Sequence, residues 1–257
     1  MPKIAAVTAA ALGLLVALGH SLEARAADIK LIAGNGFAPV LVEFAPQFER
    51  ATGHKLAIQY GVGGAIKRQI ESGEAFDLVI MPGAEPFDEL IKQGKIDPHT
   101  RKELGRLGMA VGVRVGAPKP DISSVDAFKS ALLKAKSLTY APEGATGVHL
   151  AAVLERLGIA EQARAKTIPQ KGAQQIAQAV AKGEAELGFA VTTVILSDPG
   201  VQLVGLFPSE LQSYVAFVAG IPALAKEIEP ARSLIQQLST PSTAALMKAK
   251  GFEPVGK

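Results

Sequence analysis

The feature that most constrains the fold is a repeated succession of an apolar strand, a turn with Gly or Pro, and an amphipathic helix. Near the start of the chain, three such strands are predicted at "IKLIAG" (Ile29–Gly34), "HKLAIQYG" (His54–Gly61) and "DLVIMP" (Asp77–Pro82). The segments that follow them have helical periodicity over Ala38–Thr52, Gly64–Ser72 and Glu85–Gln93. Alternation of this kind is typical of βαβ units, in which helices cover a mostly parallel sheet.

A second series of the same kind follows. Its predicted strands are Leu107–Arg114, Ser137–Pro142, Ala165–Gln170, Glu186–Val191, Val201–Phe207 and Ser213–Ile221. Its predicted helices lie near Ser124–Lys134, Gly147–Leu157 and Ala173–Lys182. The tail from Pro222 onward has the pattern of two helices, which separate near Ser239-Thr240-Pro241. The two series correspond to two units of ordinary domain size.

The two units could lie in series or be interleaved. The long apolar strands Leu107–Arg114 and Ser213–Ile221 flank the second unit, and we expect both to cross between two lobes. This predicts an α/β fold in which each lobe is a mixed, mostly parallel sheet flanked by helices, with a two-strand hinge between the lobes. The predicted division is 27–112 plus 215–257 for the first lobe and 113–214 for the second.

The first 26 residues have the pattern of a secretory signal peptide. Lys3 precedes an apolar run from Ile4 to about Leu18, and Ala24-Arg25-Ala26 forms a small-x-small cleavage site. The run is shorter than the roughly 20 residues that a membrane-spanning helix needs. We therefore expect cleavage after Ala26 and a periplasmic mature protein without a lipid anchor, since the sequence has no cysteine.

Charge and composition argue against several classes of function. The whole chain carries a formal charge of +3, and the leader contains two of the cations and one of the anions, which leaves +2. Lys and Arg are scattered, whereas a nucleic-acid binder usually concentrates them on one face, so we expect no nucleic-acid partner. The absence of Cys excludes thiolate metal sites and Cys nucleophiles, and the three histidines after the leader have no metal-ligand spacing. We predict no metal and no cofactor.

Five strand-to-helix turns are rich in Gly, Thr or Asn. Parallel sheets bind ligands at the carboxyl ends of their strands, where helix N-termini offer free N–H donors to an anion. Glycine lets a ligand approach the backbone, although the same glycines could simply make tight turns and the threonines could cap helices. We predict an anion site that uses mostly backbone donors. Its predicted ligand-binding residues are Asn35, Gly36, Gly63, Gly64, Ala145, Thr146, Val191 and Thr192.

For five further side chains the sequence pattern is weaker evidence of a role in the site. Arg114 ends a predicted crossing strand, where it could pair with a ligand carboxylate or form a structural salt bridge, and we include it in the predicted site. Lys67 and Arg68 lie in the first turn of a helix, where solvation is the simpler interpretation. His149 is interpreted as a packing residue, and Glu143 is the carboxylate best placed for proton transfer.

Three segments resemble the periplasmic molybdate-binding proteins of ABC importers: "GVGGAIKRQIESGEAFDLVIMPG", "GVHLAAVLERLGI" and "AQAVAKGEAELGFAV". The resemblance covers nearly the whole chain after the leader in order and spacing. It implies the type II periplasmic binding protein fold, with a ligand enclosed between two lobes.

The ligand turns depart from that family. Where the resemblance implies hydroxyl side chains in the first two turns, this chain has Asn35-Gly36 and Val62-Gly63, and the expected tyrosine is Val191. Each lost hydrogen bond to a charged ligand costs about 1.5–3 kcal/mol. We therefore expect a small organic carboxylate or another anion in place of molybdate.

The predicted function is that of a periplasmic solute-binding protein. It would act as a monomer that delivers a small anion to an ABC permease in the inner membrane. The first alternative is an enzyme on the same scaffold that resembles periplasmic aconitate isomerases, which move a double bond by proton abstraction. A second alternative is a subunit that senses a ligand and signals to a membrane partner.

Overall fold

The computed structural model describes residues 26–143 and 145–253. The predicted leader lies outside this part of the chain, except for Ala26. Within it, no helix is both long and apolar enough to cross a bilayer.

The strands are β1 (Asp28–Gly34), β2 (Lys55–Gly61), β3 (Leu78–Pro82), β4 (Lys102–Arg114), β5 (Leu138–Tyr140), β6 (Thr167–Pro169), β7 (Leu187–Val191), β8 (Val201–Leu206) and β9 (Tyr214–Gly220). The helices are α1 (Ala38–Thr52), α2 (Gly63–Glu71), α3 (Ala84–Lys92), α4 (Val125–Lys134), α5 (Ala145–Arg156), α6 (Ala160–Arg164), α7 (Ala173–Ala181), α8 (Thr192–Ile195), α9 (Ile228–Leu238) and α10 (Pro241–Ala249).

The predicted strands and helices are all present, most with bounds within two residues of those expected. The largest difference is β4, which begins at Lys102, five residues before the predicted start. Its early residues Glu103 and Arg106 are polar, and they obscured the apolar pattern. The short helices α6 and α8 were not predicted, because four or five residues are too few to show a helical period.

The strands form a mixed sheet with the order β2-β1-β3-β9-β4-β7-β5-β6, and β8 also pairs with β4. β1 is parallel to β2 and β3, and β5 is parallel to β6 and β7. β9 and β4 run antiparallel to their neighbours at the centre. We call β1, β2, β3, β9 and the first part of β4 the first lobe, and β5 to β8 with the rest of β4 the second lobe. The predicted fold class is confirmed.

Two chain segments cross between the lobes. β4 pairs with β9 up to Gly108 and with β7 from Met109 onward. The return crossing is the segment 207–213, which stays hydrogen-bonded to β4: the Met109 N–H donates to the Ser213 carbonyl over 3.2 Å, and the Phe207 N–H donates to the Met109 carbonyl over 3.0 Å. The Gln212 side chain bonds both backbone groups of Met109, at 2.9 and 3.1 Å. The crossing point is thereby fixed at Gly108–Met109.

Each lobe has a core on both faces of its sheet. In the first lobe, α1, α9 and α10 share one apolar cluster with β1, in which Phe48, Leu234 and Met247 are buried together. The opposite face is covered by α2 and α3. In the second lobe, α4 and α5 pack on one face, and α7 and α8 pack on the other. The two C-terminal helices thus pack on the first lobe. The residue boundaries given above for the lobes stay a prediction.

A buried aspartate ties the returning tail to the first lobe. Asp77 is 5% exposed and precedes β3. One of its carboxylate oxygens accepts the N–H of Lys30 in β1 over 2.9 Å. The other accepts the N–H groups of Lys226 and Glu227, just before α9, over 2.8 and 3.0 Å. Three backbone donors on two separate segments of the chain therefore depend on this one buried side chain.

We expect Asp77→Ala to lower the free energy of unfolding by about 3 kcal/mol or more, because each hydrogen bond to a charged acceptor contributes about 1.5–3 kcal/mol. Urea unfolding followed by circular dichroism measures the change. Asp28→Ala, which removes an exposed aspartate of β1, is the matched control and should change stability little. A loss below about 1 kcal/mol in the Asp77 variant would contradict the role assigned to it.

Candidate functional site

The carboxyl ends of the parallel strands in the two lobes point toward each other. β3 ends at Pro82, which lies opposite Phe217 of β9, and Phe217 in turn pairs with Gly105 of β4. β7 ends at Val191, which lies opposite Met109 of β4. β3 runs in the direction of β4 and β7 runs against it, so both end toward the crossing point. Gly105 and Met109 are four residues apart, which is about 13 Å along a strand.

The turns after these strands therefore line one interlobe region, which we call the cleft. The first lobe contributes the turn Asn35–Phe37 after β1 and the start of α2 after β2. The second lobe contributes the start of α5 after β5 and the start of α8 after β7. Eight of the nine predicted ligand-binding residues lie at these turns: Asn35, Gly36, Gly63, Gly64, Ala145, Thr146, Val191 and Thr192.

Arg114 lies at the opposite edge of the second lobe. The register of β4 and β7 pairs Met109 with Val191 and Gly112 with Gly188, so residues beyond Gly112 approach the amino end of β7. Arg114 is five residues beyond Met109, about 17 Å along the strand, and its guanidinium lies beside Gly183, in the turn before β7. A side chain at that edge cannot reach a ligand at the carboxyl ends, and we remove Arg114 from the site.

Close packing accounts for most of the glycines in these turns. A Cβ atom on Gly36 would lie 2.8 Å from the Phe217 ring, and one on Gly63 would lie 3.2–3.3 Å from Pro82. A Cβ atom on Gly147, in the first turn of α5, would lie 2.0 Å from the Ala141 carbonyl oxygen. These glycines let each turn pack against a strand end. Access for a ligand, the reason predicted from the sequence, is not needed to explain them.

Gly64 differs from the other turn glycines. It is exposed, and a Cβ atom there would meet only the tip of the Arg68 side chain, at 3.6 Å. The backbone at the start of α2 is therefore open to the cleft. Arg68 makes no ion pair with any residue that the structure describes, whereas its neighbour Lys67 pairs with Glu71 and Glu89.

Three of the helices that begin at the cleft have no side-chain cap. No side chain accepts a hydrogen bond at the N-cap of α1, α2 or α8. Ser124 caps α4 and Thr240 caps α10, away from the cleft, whereas α6, α7 and α9 also lack a side-chain cap. Uncapped N-termini leave N–H donors and partial positive charge unneutralised. The cleft can thus accept an anion from both lobes through backbone groups.

The polar side chains near the cleft differ in whether they are already hydrogen-bonded within the protein. The Thr192 hydroxyl, which was predicted to contact a ligand, donates to the Gly251 carbonyl over 2.8 Å. The His149 ring nitrogen Nε2 lies 2.7 Å from the Leu211 carbonyl oxygen, and its ring stacks on Phe207. Glu143 and Asn35 are exposed. No group of three or more metal-binding side chains occurs in the part of the chain that the structure describes.

Sequence reasoning named Val62 as a departure from the resemblance, but it missed two other side chains that flank the cleft, Tyr60 and Val148. Tyr60 pairs with Ala33 near the end of β2, on the face that carries α1, and it is 39% exposed. Partial desolvation raises the pKa of the Tyr60 phenol. A phenol is protonated at neutral pH even without this shift, so the hydroxyl is a hydrogen-bond donor. Val62 and Val148 are each 62% exposed at the start of α2 and of α5. The available sequence signal was an apolar residue in the first turn of a predicted helix, as Val148 is.

With this geometry, comparison with known proteins decides the family. The sequence matches the bacterial extracellular solute-binding proteins over residues 29–253. The chain belongs to this family. This solute-binding protein superposes on the periplasmic molybdate-binding protein of Azotobacter vinelandii with a TM-score of 0.72 and 21% identity, covering 89% of this chain and 100% of that one. The resemblance described from the sequence is confirmed.

Two curated relatives differ in their named functions. An aconitate isomerase from a Pseudomonas species is 34% identical over 235 residues, which are 88% of this chain and 88% of the relative. A molybdate-binding protein of Azotobacter vinelandii is 29% identical over 254 residues, covering 93% and 96% of the two chains. Family membership therefore leaves both a transport role and an enzymatic role possible for this solute-binding protein.

The open glycine Gly64 and the tightly packed glycine Gly147 give a test of the site. Gly64→Ala should keep or slightly raise thermal stability, because Ala is favoured over Gly in helices by about 1 kcal/mol, but it should weaken ligand binding at the open start of α2. Gly147→Ala should instead lower the melting temperature, because the new Cβ atom collides with the Ala141 carbonyl. Thermal unfolding with and without ligand measures both effects. Unchanged ligand binding in a stable Gly64→Ala protein would exclude α2 from the site.

Proposed function

We propose that this solute-binding protein captures a small organic carboxylate in the cleft. The observation that carries the proposal is that uncapped helix N-termini and the exposed apolar side chains of Val62 and Val148 lie at turns of the same cleft. A carboxylate can accept hydrogen bonds from backbone N–H groups at a helix start. The carbon skeleton attached to it can bury apolar surface, which an inorganic oxyanion has no carbon atoms to do.

The apolar side chains stand where the molybdate-binding family has hydroxyl groups. Val62 follows β2 and Val191 ends β7, so the two positions belong to opposite lobes. An oxyanion such as molybdate would lose hydrogen bonds at both, each of which contributes about 1.5–3 kcal/mol when the ligand is charged. An organic acid would gain about 25 cal/mol for each Å² of apolar surface that it covers. The cleft composition thus favours the organic ligand.

Charge supports a ligand with more than one carboxylate. Backbone donors from each lobe can hold one carboxylate, and the Arg68 guanidinium lies against the start of α2 without an ion pair among the described residues. A cation at the positive end of a helix is unfavourable, and a second anionic group would relieve this. We therefore favour small di- and tricarboxylates over monocarboxylates.

Capture would proceed by closure of the lobes about the crossing point at Gly108–Met109. Closure is favoured only by contacts that the ligand makes with both lobes. In this proposal the protein acts as a periplasmic monomer, released by cleavage of its leader after Ala26. The closed form would deliver its ligand to an ABC permease in the inner membrane.

A panel of anions tests the ligand class. We expect cis-aconitate, trans-aconitate or citrate to raise the melting temperature and reduce the radius of gyration in X-ray scattering. At a ligand concentration of 100 Kd, the stabilisation should reach about 2.7 kcal/mol. Molybdate and sulfate at equal concentration are the controls and should change little. Stronger stabilisation by molybdate than by every carboxylate would contradict the proposal.

A second candidate function is isomerisation of an unsaturated tricarboxylate on the same site. The 34% identical aconitate isomerase favours it, together with the exposed Glu143 after β5. In this reaction the Glu143 carboxylate would take a proton from a methylene carbon next to a carboxylate. The double bond would shift by one position, and a proton would return to the former alkene carbon. The same ligand class thus serves both functions.

NMR spectra of cis- or trans-aconitate with the purified protein distinguish the two functions. If the protein is an isomerase, the spectra will show conversion, and Glu143→Gln should slow it by at least about 100-fold, the usual contribution of a general base. Glu155→Gln, on the exposed face of α5, is the matched control and should retain activity. Binding without conversion by the unsubstituted protein would exclude the enzymatic function and leave a role in transport or sensing.

A further inference from the structure

The segment Gly251–Glu253 lies between the two lobes, beside the crossing point. Glu253 pairs with Arg106 of β4 through two backbone hydrogen bonds of 2.8 and 3.0 Å. β9 occupies the other edge of β4 at this position, so Glu253 lies on the edge that β7 takes from Met109 onward. The C-terminal segment and β7 therefore meet end to end along β4.

The first residue of α8 is hydrogen-bonded to this segment. Thr192 is 4% exposed, and its hydroxyl donates to the Gly251 carbonyl over 2.8 Å. Gly251 has a φ of +87°, and a Cβ atom there would lie 3.0 Å from the Thr192 Cβ. A side chain at residue 251 would thus be both strained and crowded. The threonine and the glycine fit closely against each other.

The same segment contacts the cleft turn of the first lobe. Phe252 is 3% exposed, and its ring centroid lies 5.2 Å from that of Phe37, at the end of the turn Asn35–Phe37. It also lies 5.3 Å from the ring of Phe217, against which Gly36 packs. One short segment thus connects the turn after β1 with the turn after β7, and these turns belong to different lobes.

We propose that Thr192 is a positioning residue and that the segment Gly251–Glu253 is a third, non-covalent connection between the lobes. The inference rests on the proposed function, because the two turns that it connects are those assigned to the ligand. By fixing the spacing of these turns, the hydrogen bond reduces the reorganisation needed when a ligand engages both lobes, and pre-organisation of this kind increases affinity. The Thr192 hydroxyl acts through the backbone and does not contact the ligand.

Paired variants of neighbouring threonines test this role. Thr192→Val keeps the side-chain shape but removes the hydrogen bond, and we expect it to weaken cis-aconitate binding about tenfold and to expand the ligand-free protein in X-ray scattering. Thr192→Ser restores a hydroxyl and should bind within about threefold of the original protein. Thr193→Val is the matched control, because the Thr193 hydroxyl is buried without a hydrogen-bond partner among the described residues.

The outcomes separate this inference from the proposed function. If the unsubstituted protein binds none of cis-aconitate, trans-aconitate and citrate, the ligand proposal fails, and scattering of the ligand-free variants still tests the connection. Unchanged scattering and unchanged affinity in Thr192→Val would overturn the inference, as would an equal loss in Thr193→Val. If Thr192→Val does not fold, Phe252→Leu loosens the segment from Phe37 instead, and it must give the same expansion for the inference to hold.

Discussion

The continuous pairing of β4 through both lobes is the constraint on which the rest of the structure depends. Its 13 residues are hydrogen-bonded to β9 in one lobe and to β7 and β8 in the other. Because β3 runs with β4 and β7 runs against it, the two sets of carboxyl ends must face the same gap. The cleft is thus a consequence of strand direction, and helix starts from both lobes are brought to it without any specific side chain.

Packing at the strand ends explains why the turns are rich in small residues. Gly36 accommodates Phe217, and Gly147 accommodates the Ala141 carbonyl. Tight turns keep each helix start close to the strand that precedes it, so the free N–H donors are held at the edge of the sheet. Structural and functional explanations of such a glycine are therefore compatible, since the contact that excludes a side chain also positions the donors.

The alternation of strands and helices made the fold predictable from sequence, because each element has its own period and its own boundary residues. The position of the candidate turns followed from the topology of parallel strands, and their role in binding stays a prediction. Arg114 was misplaced because periodicity does not give the direction of a strand relative to its neighbours. The hydrogen bond of Thr192 to Gly251 joins residues 59 positions apart, and the path of the C-terminal tail that creates it is not a local property of the sequence.

A site built mainly from backbone donors can change its ligand without a change of fold. The helix starts provide the same N–H groups whatever the neighbouring side chains are, so Val62 and Val191 can alter ligand preference while the donors stay in place. Proton transfer would require in addition one carboxylate at the edge of the same cleft, as Glu143 is. In the two proposed functions the binding step is therefore the same, and they would differ in whether a bound carbon acid meets a base before the lobes reopen.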